Sequence, residues 1–270
     1  MRQESVIDGA ANPNPAAPTD FSAPSRGQPI RLSVVIPAYN EEQLLGRTLD
    51  GVKAALSACR EQSEIIVVDN NSTDTTARVA RKAGARVIFE PVNQIARARN
   101  SGARAARGDY LVFLDADTLV QGDILSKVVS LLDSGEVIGG GAWVEPDAGW
   151  FSRMIFRYFI NLPLALRNVT VGPFLYCLRA AFDQAGGFDE SYFAGEEFTL
   201  ATRLREEGRK VNQRWQIIKY SKTHKILTSA RKFQKYGGLE MLKSNAHLLW
   251  NSREKLRQKS QCRFWYEVRK

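Results

Sequence analysis

Short continuous runs of apolar, often β-branched residues alternate along the chain with longer stretches in which apolar residues recur every three or four positions. The short runs predict strands that are buried on both faces, and the longer stretches predict amphipathic helices. The predicted strands are 32–36, 64–68, 86–89, 110–114 and 137–144. The predicted helices are 44–58, 94–106, 124–132 and one that begins at the N-cap Ser72 and stops at Gly84. Strands that alternate with helices of this length predict an α/β fold, with a mostly parallel central sheet and helices on both faces.

The pattern also predicts a division of the chain into three parts. Residues 1–30 are rich in Pro, Ala, Asn and Ser without periodicity, so we expect a disordered leader there. Residues 31–235 carry the alternating pattern and form the main domain. With 270 residues, of which 44% are hydrophobic, the chain is long enough for one sizeable core. Residues 236–270 form a basic, amphipathic C-terminal segment.

Charge changes this picture mainly at the C-terminal end. The net charge is +9, but residues 221–270 alone contribute +10, so the rest is nearly neutral. This distribution argues against a nucleic-acid-binding core, and we expect no nucleic acid partner. One helical face of the segment is apolar and aromatic, formed by Leu239, Leu242, Ala246, Leu249 and Trp250. Two interpretations stay open: packing on the main domain, favoured up to Trp250, and peripheral contact with an anionic membrane, favoured beyond it.

The cysteines and the apolar runs bear on the compartment. Cys59, Cys177 and Cys262 are odd in number and widely spaced, which gives neither a disulfide framework nor a metal motif. The longest apolar run, 154–166, is interrupted by polar residues and falls short of the roughly 20 residues of a membrane helix. The N-terminus lacks the pattern of a signal peptide. We therefore expect a cytoplasmic protein, either free or peripheral on the inner membrane face.

Polar residues follow three of the predicted strands, at positions 37–42, 69–74 and 115–117. The carboxyl ends of parallel strands meet at one edge of a sheet, where ligands bind. The glycine-rich loops that cradle phosphates are missing, which disfavours a dinucleotide or P-loop site. Asp115 and Asp117 instead offer hard oxygen ligands to Mg²⁺ or Mn²⁺, which would neutralise charge on a leaving diphosphate. Taken singly, such residues are also common in turns and helix caps.

Several motifs occur in an order that resembles glycosyltransferase family 2. They are VVIPAYNE at 34–41, IVVDNNSTD at 66–74, ARNSG at 98–102, FLDAD at 113–117, GGFDE at 186–190 and the pair Glu196-Glu197. The resemblance extends over about residues 32–235. It implies a GT-A fold, which is a Rossmann-like nucleotide-binding sandwich, and a nucleotide-diphosphate sugar as the donor.

The resemblance also implies roles for residues on the donor side. Pro37, Tyr39 and Glu41 would border the nucleoside, and Asp69 would hydrogen-bond the base. Arg99 and Asn100 would lie beside the donor. Asp115 and Asp117 would take ribose and metal. Arg231 or Lys232 would cover the diphosphate, and His224 would be a further metal ligand. The ordinary alternatives are a helix cap for Glu41, solvated charges for Arg99 and Arg231, and a structural His224.

On the acceptor side, the family commonly has Glu-Asp at the start of a helix after the GGFDE turn, with the Asp as general base. This chain has Glu196-Glu197 there, so Glu197 takes the place of the base and Glu196 is the fallback. The alternative is that both acidic residues only favour the helix macrodipole.

The resemblance therefore implies a metal-dependent transferase that inverts the sugar without a covalent intermediate. Its acceptor would be a saccharide, a lipid-linked molecule or a small hydroxyl compound. One alternative is a polyprenyl-phosphate sugar synthase, although an ionised phosphate needs no base and the glutamate pair argues mildly against it. A sugar-1-phosphate nucleotidyltransferase lacks support because no basic glycine-rich loop follows Ile36. The alternative from another class is a non-catalytic carbohydrate- or nucleic-acid-binding protein.

Overall fold

The computed structural model describes residues 29–162, 172–219, 221, 223–229, 231 and 256–262. The leader predicted over 1–30 lies outside the described residues except for its last two, of which Ile30 is buried. The C-terminal segment predicted over 236–270 lies outside them except for 256–262. The apolar face at 239–250 and Lys232 are therefore not described.

The described residues form ten strands and seven α-helices. The strands are β1 (Leu32–Ala38), β2 (Ser63–Asp69), β3 (Arg86–Phe89), β4 (Tyr110–Leu114), β5 (Thr118–Gly122), β6 (Val137–Ala142), β7 (Glu145–Pro146), β8 (Phe174–Leu178), β9 (Arg214–Ile218) and β10 (His224–Thr228). The helices are α1 (Leu45–Leu56), α2 (Thr76–Lys82), α3 (Ile95–Ala105), α4 (Ile124–Asp133), α5 (Trp150–Ile155), α6 (Arg179–Gln184) and α7 (Glu196–Lys210). A π-helical turn, Phe156–Asn161, continues α5, and a short 3₁₀ turn spans Lys259–Gln261.

Seven strands make the main sheet, in the order β3-β2-β1-β4-β8-β6-β9. Strands β3, β2, β1 and β4 are mutually parallel, and β6 pairs in parallel with β9. Only β8 is antiparallel to its neighbours within this sheet. The α/β fold with a mostly parallel sheet is therefore confirmed.

Two apolar cores cover the two faces of this sheet. Alternate residues of β1 point into different cores, with Val34 and Ile36 in one and Val35 in the other. The first core includes side chains of α1, α2 and α4, and the second includes side chains of α3, α6 and α7. Since β1 is buried on both faces, nearly all of its residues are apolar, and this run of apolar residues is the sequence signal of that burial.

The structure corrects two sequence-based expectations about the elements. Helix α2 begins at Thr76 instead of following Ser72, because the Ser72 hydroxyl accepts a hydrogen bond from the Asn40 amide at 3.1 Å in the neighbouring loop. The pattern also missed a second, three-stranded sheet in the order β5-β10-β7. Strand β7 has only two residues, and β5 (TLVQG) and β10 (HKILT) mix polar with apolar residues instead of forming the continuous apolar runs of the predicted strands.

The pairing register brings several chain segments to the carboxyl edge of the main sheet. Ala38 of β1 lies beside Asp69 of β2, so the loops that follow both strands leave the sheet together. The loop that precedes the antiparallel β8 reaches the same edge, where the Asp115 amide donates to the Pro173 carbonyl at 3.1 Å. In the second sheet Thr118 pairs with Thr228, which brings the end of β10 to Asp117.

Among the helices of the described ranges, none combines the length and apolar character that crossing a membrane requires.

Helix α3 packs unusually close to the sheet, and this generates a prediction. A Cβ at Gly102 would lie 2.3 Å from Val35 Cγ1 and 2.9 Å from Val68 Cγ2. We expect Gly102→Ala to lower the free energy of unfolding by about 1–2 kcal/mol, since overpacking outweighs the helix propensity of Ala. The matched control is Gly46→Ala in α1, whose Cβ would come no closer than 3.8 Å to Val79. That variant should gain up to about 1 kcal/mol in urea denaturation. Equal effects of the two substitutions would contradict the close packing.

Candidate active site

The loops after β1 and β2 are bonded to each other and form one wall of a cleft. The Asn40 side-chain oxygen accepts a hydrogen bond from the Thr73 amide at 2.8 Å. The Glu42 carboxylate accepts from the Thr75 amide at 3.0 Å and from its hydroxyl at 2.7 Å. Asn40 has a positive φ of 50°, a left-handed conformation that Asn tolerates better than most residues. These bonds fix the wall before any ligand binds.

The first predicted donor residues lie on this wall. Pro37 is buried in β1 opposite Val68, and Tyr39 is partly exposed after the strand. Asp69 is buried at the end of β2, where its Oδ1 accepts from the Ser72 amide at 3.0 Å. The structure thus brings the three residues together at the end of adjacent strands.

Glu41 is fully buried, and its carboxylate does not cap α1. The Glu41 main-chain carbonyl accepts from the Leu45 amide at 2.9 Å, while the side-chain Oε2 accepts from Arg231 at 2.7 Å. The same guanidinium reaches Asp117 Oδ2 at 3.3 Å. Burial by itself would lower the pKa of Arg231, but Glu41 and Asp117 outweigh it and raise that pKa. Arg231 is therefore held in the cleft as a charged side chain.

Asn70 and Gln94 were missed by the sequence analysis, although both are buried and polar. The Asn70 side chain donates to the Val92 carbonyl at 2.5 Å and accepts from the Gln94 amide at 2.9 Å. The Gln94 side chain donates to the carbonyls of Glu190 and Tyr192 at 2.6 and 2.9 Å. They connect β2, the start of α3 and the turn before α7. Asn70 lies within a motif already noted, but nothing in the sequence marks Gln94.

Asn100 and Arg99 are adjacent on α3 but have different partners. The Asn100 side chain exchanges two hydrogen bonds with the main chain of Phe188, both at 2.9 Å, and also donates to the Glu190 carboxylate at 3.0 Å. Its hydrogen-bonding groups therefore hold the GGFDE turn. The place beside the donor that the resemblance implied for Asn100 stays a prediction.

Arg99 joins the two sides of the cleft. Its Nη2 donates to Asp115 Oδ1 at 2.9 Å, and its Nη1 donates to Glu196 Oε1 at 2.7 Å and lies 4.0 Å from Glu197 Oε2. Burial would lower the pKa of Arg99, but these three carboxylates outweigh it and raise that pKa. Arg99 is only 3% exposed, so it is no solvated helix charge.

The two glutamates at the start of α7 differ in accessibility. Glu196 is 2% exposed, whereas 14% of the Glu197 side chain is exposed. Burial first, and then the neighbouring Glu197, raise the pKa of Glu196 to about 8, although Arg99 opposes the shift. Arg99 alone faces three carboxylates, so its charge does not outweigh the cost of burying Glu196. Glu196 is thus enclosed, and Glu197 is the member of the pair that solvent reaches.

Asp115 and Asp117 follow β4 and retain partial exposure, 24% and 16% of their side chains. Arg99 binds one oxygen of Asp115, and Arg231 binds one oxygen of Asp117. Within the described ranges, no group of three or more His, Cys, Asp or Glu is arranged to hold a metal ion. Two carboxylates with open positions do fit Mg²⁺ or Mn²⁺, which commonly take few protein ligands together with water and phosphate oxygens.

The register of the second sheet separates His224 from this pair. Thr228 pairs with Thr118 next to Asp117, whereas His224 pairs with Gly122, four residues further along the strand. That distance is about 13 Å for an extended strand. The His224 ring instead contacts Asp123 Oδ1 at 3.1 Å and the Lys219 carbonyl at 3.2 Å. The expectation that His224 joins Asp117 as a metal ligand is corrected by this placement.

Residues 256–262 pack against the start of α7. The Phe193 amide donates to the Leu256 carbonyl at 2.8 Å, and the Arg257 guanidinium lies 4.9 Å from the centre of the Tyr192 ring. Cys262 is buried, and burial together with the charge of Glu196 raises its pKa to about 11. This part of the segment beyond Trp250 therefore contacts the main domain, where the sequence favoured a surface contact.

Comparison with known proteins shows the family of this chain. The family model described as "Glycosyl transferase family 2" matches residues 33–183, which is more than half of the chain. A validoxylamine A glucosyltransferase of Streptomyces hygroscopicus subsp. limoneus is 32% identical over 220 residues, covering 66% of this chain and 48% of that protein. An undecaprenyl-phosphate 4-deoxy-4-formamido-L-arabinose transferase of Edwardsiella ictaluri is 32% identical over 143 residues, covering 48% of this chain and 42% of that protein. The chain thus spans about half the length of these relatives.

Solved structures share the fold at lower identity. The mannosyltransferase PcManGT from Pyrobaculum calidifontis, solved with GDP-Man and Mn²⁺, has a TM-score of 0.57 at 22% identity, covering 90% of this chain and 69% of its own. TarS of S. aureus, solved with UDP-GlcNAc, also has a TM-score of 0.57, at 18% identity, covering 74% of this chain and 58% of its own. The family model matches most of the main sheet, and the relatives of this chain are glycosyltransferases. This chain therefore belongs to glycosyl transferase family 2.

Proposed function

We propose that this glycosyltransferase uses a divalent cation, Mn²⁺ or Mg²⁺, to transfer a sugar with inversion from a nucleoside-diphosphate sugar to a hydroxyl acceptor. Residues 31–235 would form the transferase unit. The observation that carries the proposal is the position of Arg99, which holds Asp115 on one side and Glu196 on the other. One buried side chain thereby sets the distance between a carboxylate pair suited to a cation and an acidic pair suited to proton transfer.

The donor would lie along the wall formed by the loops after β1 and β2. Asp69 would hydrogen-bond the base, and Pro37, Tyr39 and Glu41 would border the nucleoside. Asp115 and Asp117 would hold the cation, whose positive charge would stabilise the leaving diphosphate. Arg231 already contacts Asp117, so its guanidinium lies where a diphosphate would need neutralising charge.

Glu197 would be the general base, because its carboxylate is accessible and lies near Arg99, which orients the pair. An accessible carboxylate can take the acceptor proton as the anomeric carbon is attacked. Glu196 is enclosed and accepts a hydrogen bond from Arg99, so its role would be to position that guanidinium. The division of roles between two adjacent acids follows from their different burial.

A polyprenyl-phosphate acceptor is a second candidate, since the Edwardsiella ictaluri relative is named for transfer involving undecaprenyl phosphate. An already ionised phosphate needs no general base. The accessible Glu197 therefore favours a hydroxyl acceptor, and the Glu197→Gln variant below separates the two.

The first prediction concerns the cation. Asp117→Asn should abolish turnover and weaken nucleoside-diphosphate binding in Mn²⁺, because it removes a charged ligand while keeping the shape. Calorimetry with and without Mn²⁺ measures this. Asp109→Asn is the matched control, since Asp109 precedes the strand that Asp115 follows and is exposed. His224→Ala should also keep its metal dependence. Unchanged Mn²⁺-dependent binding by Asp117→Asn would refute the assignment.

The second prediction concerns the base. Glu197→Gln should slow transfer to a hydroxyl acceptor by roughly 10²- to 10⁴-fold, the usual contribution of general base catalysis, with donor affinity near normal. Glu206→Gln, on an exposed position of the same helix, should keep full activity. Rates over a panel of nucleotide sugars and acceptors provide the measurement. Full activity of Glu197→Gln with a phosphate acceptor would favour the second candidate instead.

The third prediction is a pH dependence of stability that comes from Glu196. Its folded pKa of about 8 exceeds the value of 4.5 for an unperturbed Glu, so the native state binds the proton more tightly than the unfolded state. The stabilisation is complete below pH 4.5 and is lost as the pH rises towards 8. In urea denaturation with a chelator present, the unfolding free energy of wild type should fall over this range. Glu196→Gln should flatten the profile, and parallel profiles would show that Glu196 is ionised in the native state.

A further inference from the structure

The guanidinium of Arg231 contacts two carboxylates of the candidate site through a single nitrogen atom. Its Nη2 donates to Glu41 Oε2 at 2.7 Å and to Asp117 Oδ2 at 3.3 Å. The Nε of the same side chain donates to the Ser229 hydroxyl at 3.2 Å. In the free protein, Asp117 therefore already has a positively charged partner at the carboxylate that we propose as a cation ligand.

The two carboxylates differ in how firmly they hold this guanidinium. Glu41 is only 1% exposed and makes the shorter contact. A carboxylate at this depth has lost most of its water, so it depends strongly on a charged donor. The Asp117 side chain is 16% exposed and makes the longer contact, so water and ions can reach it. The contact between Arg231 and Asp117 is therefore the one that exchanges more easily.

Arg231 also has space to move and a nitrogen that is available to a ligand. Its side chain is 35% exposed, and its Nη1 makes no hydrogen bond to any residue that the structure describes. Asp117, Ser229 and Arg231 line a cavity of about 150 Å³. The guanidinium can thus turn about its contact with Glu41, release Asp117 and present Nη1 to an anion.

A divalent cation and Arg231 compete for the same carboxylate oxygen. Both are positively charged, and like charges at contact distance in a partly buried site repel each other strongly. A diphosphate changes this balance, because its negative charge attracts the guanidinium and the cation together. When the diphosphate binds Arg231, the oxygen of Asp117 becomes available to the cation.

We propose that Arg231 couples the binding of the cation to the binding of the donor diphosphate. In the free protein it occupies Asp117, so the cation alone binds weakly. The diphosphate draws the guanidinium away while Glu41 keeps hold of it, and the cation then takes Asp117. Such coupling is reciprocal, so the cation strengthens diphosphate binding by the same factor. This inference rests on the proposed function and adds to it the way in which the two ligands depend on each other.

Titration calorimetry of the full chain tests the coupling, first with Mn²⁺ alone and then with uridine or guanosine diphosphate at saturating Mn²⁺. Arg231→Gln should bind Mn²⁺ alone roughly tenfold more tightly than wild type, because the competing charge is gone. The same variant should bind the diphosphate roughly tenfold more weakly, because it lacks the guanidinium. The two affinities should therefore change in opposite directions.

The matched control is Arg47→Gln. Arg47 lines the same cavity but is bonded to Asp147 at 2.8 Å, so its loss should leave both affinities like those of wild type. Arg231→Gln removes a positive partner of a buried carboxylate, which can unfold the protein. Glu41→Gln combined with Arg231→Gln removes both charges together, and this double variant should also bind Mn²⁺ alone more tightly than wild type. Circular dichroism checks that each variant is folded.

Two results would overturn the coupling. One is a folded Arg231 variant, single or double, that binds Mn²⁺ alone no more tightly than Arg47→Gln. The other is an Arg231→Gln variant in which both affinities fall or both rise. A failure of the proposed function gives a different result, since wild type would then bind the diphosphate equally well with Mn²⁺ and with a chelator. That result would overturn the inference together with the cation dependence on which it rests.

Discussion

The positive charge of Arg99 is the element on which the rest of the site depends. A guanidinium buried to this extent is stable only because carboxylates surround it, and it holds one from the end of β4 and one from the start of α7. These elements are 81 residues apart in the chain, counted from Asp115 to Glu196. Replacing Arg99 would leave three acidic groups facing each other in the interior, so both halves of the cleft would lose their spacing. Burial, together with the neighbouring Glu197, raises the pKa of Glu196 even though Arg99 is present.

The main sheet supplies the rigidity that this arrangement requires. Gly102 lets α3 approach β1 and β2 so closely that Arg99, one helical turn earlier, reaches across the sheet edge to Asp115. Asn100 and Gln94, on the same helix or at its start, hold the turn that leads to α7. Donor-side and acceptor-side groups are thus fixed relative to one helix, which is the kind of preorganisation that transition-state stabilisation needs.

The second sheet has a different function in the fold, because it connects the candidate cation ligands to the outer surface. Strand β10 leads to Arg231, which contacts Glu41 and Asp117, and it pairs with β7, which α5 follows. The packing of residues 256–262 beside Tyr192 and Phe193 places a further part of the C-terminal half close to the acidic pair.

The sequence by itself determined the α/β class, the strands β1 to β4, the order of the motifs and the family. Those features follow from local patterns, since strands buried on both faces are largely apolar and the polar motifs follow directly at their ends. Only the tertiary structure decided which acidic residues share Arg99, that Glu196 is enclosed while Glu197 is accessible, and that His224 lies at the far end of β10. Burial and distance depend on how remote segments pack, and two strands of the second sheet mix polar with apolar residues while the third has only two residues. The approach of α3 to the sheet thus sets the partners of Arg99, and the register of the second sheet sets the position of His224. No local sequence pattern encodes either of them.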